Sequence, residues 1–72
     1  MDTIDKIFHL IKENKMTAMS FAESIGVSTG NVSDWKSRRS RPNIDTLPKI
    51  ADYFNVSVDY LLGRTDNPEI NK

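Results

Sequence analysis

Residues 18–37 have the sequence AMSFAESIGVSTGNVSDWKS, the most informative stretch of this chain. Its first half places Phe21, Ala22 and Ile25 at spacings that bring them to one face of a short helix. Gly26 follows directly, and glycine at this point is typical of a helix that ends in a left-handed residue. The pattern therefore predicts a short helix that stops at Gly26.

The second half of this stretch predicts another short helix, over residues 29–37. Ser28 has the hydroxyl side chain that is preferred at an N-cap, and Val32 and Trp35 are the apolar side chains that follow it. A helix with two apolar residues three positions apart touches the core along a narrow seam. We therefore predict that Trp35 is a core residue and that the rest of this helix faces water or a partner.

The sizes of three residues favour a close crossing of these two helices. Short helices joined by a tight turn cross at a steep angle, so the side chains at their contact need particular sizes. Ala22 is small, Gly26 permits the turn, and Val32 is β-branched. We predict that Val32 packs back onto the preceding helix, which has Thr17 or Ser20 as its N-cap.

A longer amphipathic helix is predicted before this stretch, over residues 3–14, with Thr3 as its N-cap. Its apolar residues recur at i, i+3, i+4 and i+7, which places them on one buried face. They are Ile4, Ile7, Phe8 and Ile11. His9 lies off this stripe, so we predict that it is a solvated surface histidine.

A fourth helix is predicted after the stretch, because apolar residues recur there at the same helical spacing. They are Leu47, Ile50, Ala51 and Phe54. Proline is tolerated in the first turn of a helix but not in its interior. Pro48 therefore places the N-cap of this helix near Asp45, and Asn55 can close it.

A short fifth helix is predicted over residues 58–62. Ser57 is its candidate N-cap, and Gly63 ends it. The residues after Gly63 are polar. The sequence thus predicts one all-α domain over 1–63, followed over 64–72 by a frayed polar tail or the start of a linker.

Composition argues against catalytic and metal chemistry in this chain of 72 residues. It has no cysteine and one histidine, and no histidine or glycine-rich loop stands near a carboxylate pair. We therefore expect no enzyme activity, no metal and no cofactor. No apolar run reaches the roughly 18 residues that cross a membrane, and the start MDTIDKIFHLIK is unlike a secretory signal. The expected location is the cytoplasm.

Positive charge is concentrated in one segment, although the whole chain has a net charge of zero. Residues 28–42 carry four basic side chains and one acidic side chain, a net charge of +3. They are Lys36, Arg38, Arg39, Arg41 and Asp34. Because the basic residues directly follow the exposed helix, we favour contact with the phosphates of a nucleic acid over a merely solvated loop.

From the first helix to Gly63, the chain resembles the Cro/Xre-type, lambda-repressor-like helix-turn-helix family. The paired helices of residues 18–37 are followed by a basic loop with a proline, RRSRPN, and by a short helix ending in LLG. The resemblance implies a compact five-helix domain with the helix-turn-helix at helices 2 and 3. It further implies a DNA-binding transcriptional regulator of the phage or bacterial repressor type, which places helix 3 in the major groove of double-stranded DNA.

The resemblance also implies which residues contact DNA. Helical geometry turns Gly30, Ser33, Asp34 and Ser37 away from the core. The base-reading face implied by the family is Thr29, Gly30, Asn31, Ser33 and Asp34. The implied phosphate contacts are Thr17, Ser28, Lys36, Ser37, Arg38, Arg39 and Arg41.

Three positions differ from the usual family pattern or bring no side chain to it. Family members often have glutamine where this chain has Ala18, and many have glycine where Arg38 stands. Gly30 brings no side chain to a base-reading position. Arg38 therefore indicates either a different loop conformation or an added contact.

Two kinds of protein partner are compatible with the sequence. We expect a homodimer on DNA, with Tyr60 and Leu61 as possible contacts between the copies, because one helix-turn-helix unit covers little DNA. The alternative function is an antirepressor that uses the same fold to bind a second phage or bacterial repressor and block its DNA binding. Neutral overall charge and Asp34 on the outer face favour this alternative.

Overall fold

The computed structural model describes residues 2–69, which form five α-helices and no strand. The helices are α1 (Thr3–Glu13), α2 (Ala18–Ile25), α3 (Thr29–Ser37), α4 (Thr46–Phe54) and α5 (Val58–Leu61). This architecture confirms the predicted all-α, five-helix fold. Residues 70–72 of the predicted tail lie outside the described part of the chain. None of the helices in residues 2–69 is long and apolar enough to span a membrane.

All five helices contribute side chains to one hydrophobic core around Phe21. Phe21 is the largest fully buried side chain among residues 2–69. Its ring stacks on that of Phe54 with the centroids 5.5 Å apart, and Tyr53 meets it edge-on at 6.4 Å. Burial of the large apolar side chain and these ring contacts join α2 to α4.

The contact between α2 and α3 confirms the predicted roles of the small and branched residues. Ala22 and Val32 are both 0% exposed, and Trp35 is buried as predicted. Gly26 has a φ of 78°, in the left-handed region where a side chain would be strained. This conformation turns the chain from the end of α2 into α3.

Three helices begin at the N-caps that the sequence predicts. The hydroxyl oxygens of Thr17, Ser28 and Ser57 accept the backbone N–H three residues further on, at 3.0, 3.1 and 3.0 Å. Each hydroxyl satisfies a donor that has no partner within its helix. Of the two candidates for α2, Thr17 is therefore the N-cap.

The predicted N-cap of α1 is wrong, whereas the predicted N-cap position of α4 is confirmed. Asp2 caps α1 because its backbone is extended and its carboxylate accepts the N–H of Asp5, whereas Thr3 already lies in the helix. Asp45 stands at the start of α4, as predicted, but its backbone is helical and its side chain makes no capping bond. The Asn43 side chain accepts the N–H groups of Asp45 and Thr46 instead.

Each of the five helices is followed by a residue with a left-handed backbone. These residues, with φ between 56° and 78°, are Lys15, Gly26, Arg38, Asn55 and Gly63. In each case the next residue donates its N–H back into the last turn, for example Val27 to Ala22 at 3.0 Å. Asparagine adopts this conformation more readily than lysine or arginine, so Lys15 and Arg38 are the two positions where it is costly.

A buried lysine, which the sequence analysis missed, ties α1 to α5. Lys6 is only 9% exposed, although it lies next to an apolar residue of the helical stripe. Its Nζ donates to the carbonyl oxygen of Tyr60 at 2.8 Å and lies 4.2 Å from the centroid of the Tyr60 ring. The bond gives the buried ammonium group an acceptor. The same carbonyl also accepts the Gly63 N–H at 3.1 Å.

The last helix corrects one predicted dimer contact. Leu61 is 0% exposed and belongs to the core, so it offers no surface to a second copy. Leu62 is the exposed leucine, whereas Tyr60 is half-buried beneath Lys6. The segment 64–69 returns to α5, where the Ser57 N–H donates to the carbonyl oxygen of Pro68 at 2.8 Å.

Candidate nucleic-acid interface

The outer face of α3, defined as Thr29, Gly30, Asn31, Ser33 and Asp34, lies on the surface. The first four of these residues are exposed and Asp34 is half-buried. On the opposite side, Val32 is 0% and Trp35 is 4% exposed. Because successive residues turn by about 100° around a helix, two buried anchors suffice to fix the direction of the outer face.

The N-termini of α2 and α3 each present a hydroxyl group at the surface. Thr17 and Ser28 are exposed, and their side-chain oxygens act as acceptors within the caps. The hydroxyl protons remain free to donate, as do the first N–H groups of each helix. Both helix ends can therefore bind an anion such as phosphate.

The basic loop, residues 38–43, together with Lys36 presents cations next to α3. Lys36, Arg39 and Arg41 are exposed and form no ion pair with any carboxylate of residues 2–69. Lys36 Nζ lies 5.9 Å from the centroid of the Phe8 ring. These three charges are available to an anionic partner.

Arg38 has an intramolecular partner instead. Its Nη2 donates to Asp2 Oδ2 at 3.0 Å and to Asp5 Oδ1 at 3.2 Å, at the start of α1. The N–H of Asp5 and the Arg38 guanidinium hold the pKa of the Asp2 carboxyl below its usual value, with a smaller electrostatic effect from Arg41. The two carboxylates in turn raise the pKa of Arg38.

The contact of Arg38 with Asp2 and Asp5 shows which of the two interpretations of this arginine applies. The backbone of Arg38 is left-handed, with a φ of 64°, which is a conformation that glycine adopts without strain. What differs is the added contact to Asp2 and Asp5. Sequence reasoning missed this contact, although two acidic residues three positions apart at a helix start were a visible signal.

Ser37 is less available than the sequence suggests. Its hydroxyl donates to the carbonyl oxygen of Asp34 at 3.1 Å. Such a bond to a neighbouring turn uses the only proton of the hydroxyl. Ser37 can still accept a hydrogen bond, but it would have to break this contact before it could donate to a phosphate.

The family of the chain follows from a helix-turn-helix family model that matches residues 8–61. The matched range contains α2, α3 and the basic loop. This chain belongs to the Cro/Xre-type helix-turn-helix family. The family consists of transcriptional regulators and not of enzymes, in agreement with the sequence prediction.

Relatives of this chain are named as helix-turn-helix transcriptional regulators. The chain is 34% identical over 64 residues to the uncharacterized HTH-type transcriptional regulator YobD of Bacillus subtilis, covering 89% of this chain and 57% of YobD. It is 34% identical over 56 residues to the HTH-type transcriptional regulator ImmR of the same organism, covering 78% of this chain and 44% of ImmR. The HTH-type transcriptional activator BcrR of Enterococcus faecalis is 32% identical, with 86% and 30% covered. The chain thus spans between about a third and somewhat over half of the length of these relatives.

Solved structures with the same fold include a phage repressor on DNA. The P22 c2 repressor in complex with a synthetic operator superimposes with a TM-score of 0.77 at 26% identity, covering 86% of this chain and 94% of the repressor chain. The solution structure of the DNA-binding domain of this repressor gives the same TM-score and identity. The relatives and these structures favour a transcriptional regulator over the antirepressor alternative.

Proposed function

We propose that this chain is a DNA-binding transcriptional regulator of the repressor type, acting in the cytoplasm of a bacterial cell. It places α3 in the major groove of double-stranded DNA. The observation that carries the proposal is the position of α3. One side of the helix is held by Val32 and Trp35. The other side is exposed beside Lys36, Arg39 and Arg41, which pair with no carboxylate of residues 2–69.

The outer face of α3 supplies the base contacts in this proposal. Thr29 offers a hydroxyl and a methyl group, and Asn31 and Ser33 offer both donors and acceptors. Asp34 can only accept, for example from a cytosine amino group, and it repels phosphates.

Gly30 fits a close approach of this helix to the base pairs. A Cβ added at Gly30 would meet only Ser28 Oγ, at 3.8 Å, which is an ordinary van der Waals distance. The fold therefore tolerates a side chain here, and packing does not require the glycine. A bare backbone at this position lets the start of α3 lie deeper in the groove, which compensates for the lost base contact.

The phosphate contacts in this proposal come from two sources. Thr17 and Ser28 donate their hydroxyl protons at the helix N-termini, where the helix dipole favours an anion. Lys36, Arg39 and Arg41 supply charge. Ser37 contributes after its internal bond opens.

We further propose that two copies of the chain bind one DNA duplex. A single unit of this type buries only about 600–1,000 Å² of protein surface on DNA, so useful specificity requires a second half-site. Because Leu61 is buried, a contact between the copies would involve Tyr60 or the exposed Leu62.

A mobility-shift titration with duplexes from the region around the gene of this protein tests the proposed function. We expect one duplex to form a discrete complex at submicromolar protein, containing two chains by native mass spectrometry. Three cations per chain on phosphates predict a slope of log affinity against log salt of about −2.7 per chain. Equal binding to every duplex, or no shift at about 50 mM salt, would contradict the proposal.

A further inference from the structure

We infer that Arg38 is a positioning residue, fixed by Asp2 and Asp5, which sets the course of the basic loop and does not itself bind phosphate. The inference rests on the DNA-binding part of the proposed function. The family resemblance implies instead that Arg38 contacts a phosphate.

The contact joins the start of α1 to the end of α3, and the Asp2 carboxylate takes part in both the cap and the contact. Asp2 Oδ1 accepts the N–H of Asp5 at 2.9 Å and thereby caps α1, while its Oδ2 accepts from Arg38. The cap holds the carboxylate in place, so the guanidinium meets a fixed acceptor and not a freely rotating one. We call this arrangement the Asp2–Arg38–Asp5 clamp.

The clamp acts at the residue that determines where the chain goes after α3. Arg38 has the left-handed backbone, and the N–H groups of Arg39 and Ser40 point back to the carbonyl oxygen of Asp34 at 2.9 and 3.4 Å. A left-handed conformation is costly for a residue with a side chain, so a contact that fixes the Arg38 side chain stabilises the turn. The clamp holds it, and Arg39 and Arg41 follow within three residues.

Charge argues against a phosphate at Arg38 itself. The clamp contains two carboxylates and one guanidinium, which leaves one net negative charge among its three members. A phosphate that approached the guanidinium would meet both carboxylates within hydrogen-bond range of the same nitrogen. Arg39 and Arg41 have no such neighbours within ion-pairing distance among residues 2–69.

The inference is tested on DNA by making the same substitution at two neighbouring positions, Arg38→Gln and Arg39→Gln. We expect Arg39→Gln to lower the magnitude of the salt slope by about 0.9 per chain, because it removes a phosphate contact. Arg38→Gln should weaken binding by about two- to fivefold, the equilibrium factor of an exposed ion pair, and leave the slope unchanged. A loss of slope in Arg38→Gln equal to that in Arg39→Gln, or undiminished affinity, overturns the inference.

Two further variants at the same position separate the contact from the backbone turn. Arg38→Lys keeps a cation and should restore at least part of the affinity. Arg38→Gly lacks the contact but relieves the backbone, so its affinity should lie between that of Arg38→Gln and that of the wild-type chain. Full affinity in Arg38→Gly would show that only the turn matters, and the inference would then be wrong.

Amide hydrogen exchange without DNA tests the clamp independently of the proposed function. The N–H groups of Arg39 and Ser40 should exchange at least about twofold faster in Arg38→Gln and in the double variant Asp2→Asn with Asp5→Asn. Asparagine at position 2 still caps α1, so the helix is retained. Unchanged exchange in both variants overturns the inference. If the wild-type chain binds no DNA, the proposed function fails, and the exchange rates still decide whether the clamp holds the loop.

Discussion

Phe21→Ala is expected to unfold a large fraction of the protein at 37 °C. The substitution removes a fully buried ring and its contacts with Phe54 and Tyr53, and we expect it to cost about 3–5 kcal/mol. A domain of 72 residues has a total free energy of unfolding of only about 4–11 kcal/mol. The Tm should therefore fall by more than about 12 °C, as measured by circular dichroism or calorimetry.

Met19→Ala is the matched control for this prediction. Met19 lies on the same helix as Phe21, but it is 59% exposed. A surface truncation of this kind changes stability by less than about 0.5 kcal/mol. A small effect of Phe21→Ala, comparable with that of Met19→Ala, would contradict the described core.

The double variant Arg39→Gln with Arg41→Gln is expected to bind DNA about 30-fold more weakly at 0.15 M salt, with its fold intact. Each arginine that leaves a phosphate lowers the magnitude of the salt slope by about 0.9, so the slope should fall by about 1.8 per chain. Both side chains are exposed and make no ion pair within residues 2–69, so their loss should not change the Tm. Fluorescence anisotropy at four or more salt concentrations measures both quantities.

Lys12→Gln controls for the general loss of positive charge. Lys12 is an exposed cation on α1, outside the basic segment. Its replacement should leave the salt slope unchanged, because a charge that contacts no phosphate releases no counterion. An equal loss of slope in the control and in the double variant would mean that the basic loop has no special role in DNA binding.

The paired helices could be predicted because their determinants are local. Gly26 ends α2 and Ser28 caps α3 within three residues of each other, and both act on the backbone next to them. The spacing of Val32 and Trp35 then fixed which side of α3 is buried, without knowledge of what covers it. The outer face follows by elimination.

The error at the start of α1 came from competition between neighbouring capping residues. Asp2 and Thr3 both have suitable side chains, and only the backbone conformation decides between them. At the start of α4 the position of Asp45 was predicted, but the sequence did not show that Asn43 stabilises the turn before it and that Asp45 makes no capping bond.

The contacts that the sequence did not reveal join residues far apart in the chain. Lys6 meets the carbonyl oxygen of Tyr60 across 54 positions, and Arg38 meets Asp2 across 36. Helical periodicity does not predict such pairs, because they depend on how whole helices pack against one another. Leu61 shows the same limit, since only the packed structure shows that it is buried while Leu62 is exposed.

An amide NMR titration of the labelled chain with its duplex shows whether the outer face of α3 meets the bases. We expect the largest chemical-shift changes at residues 29–34, with smaller changes at Arg39 and Arg41. Changes centred on α4 and α5, with the signals of Gly30 and Ser33 unmoved at saturation, would contradict this expectation.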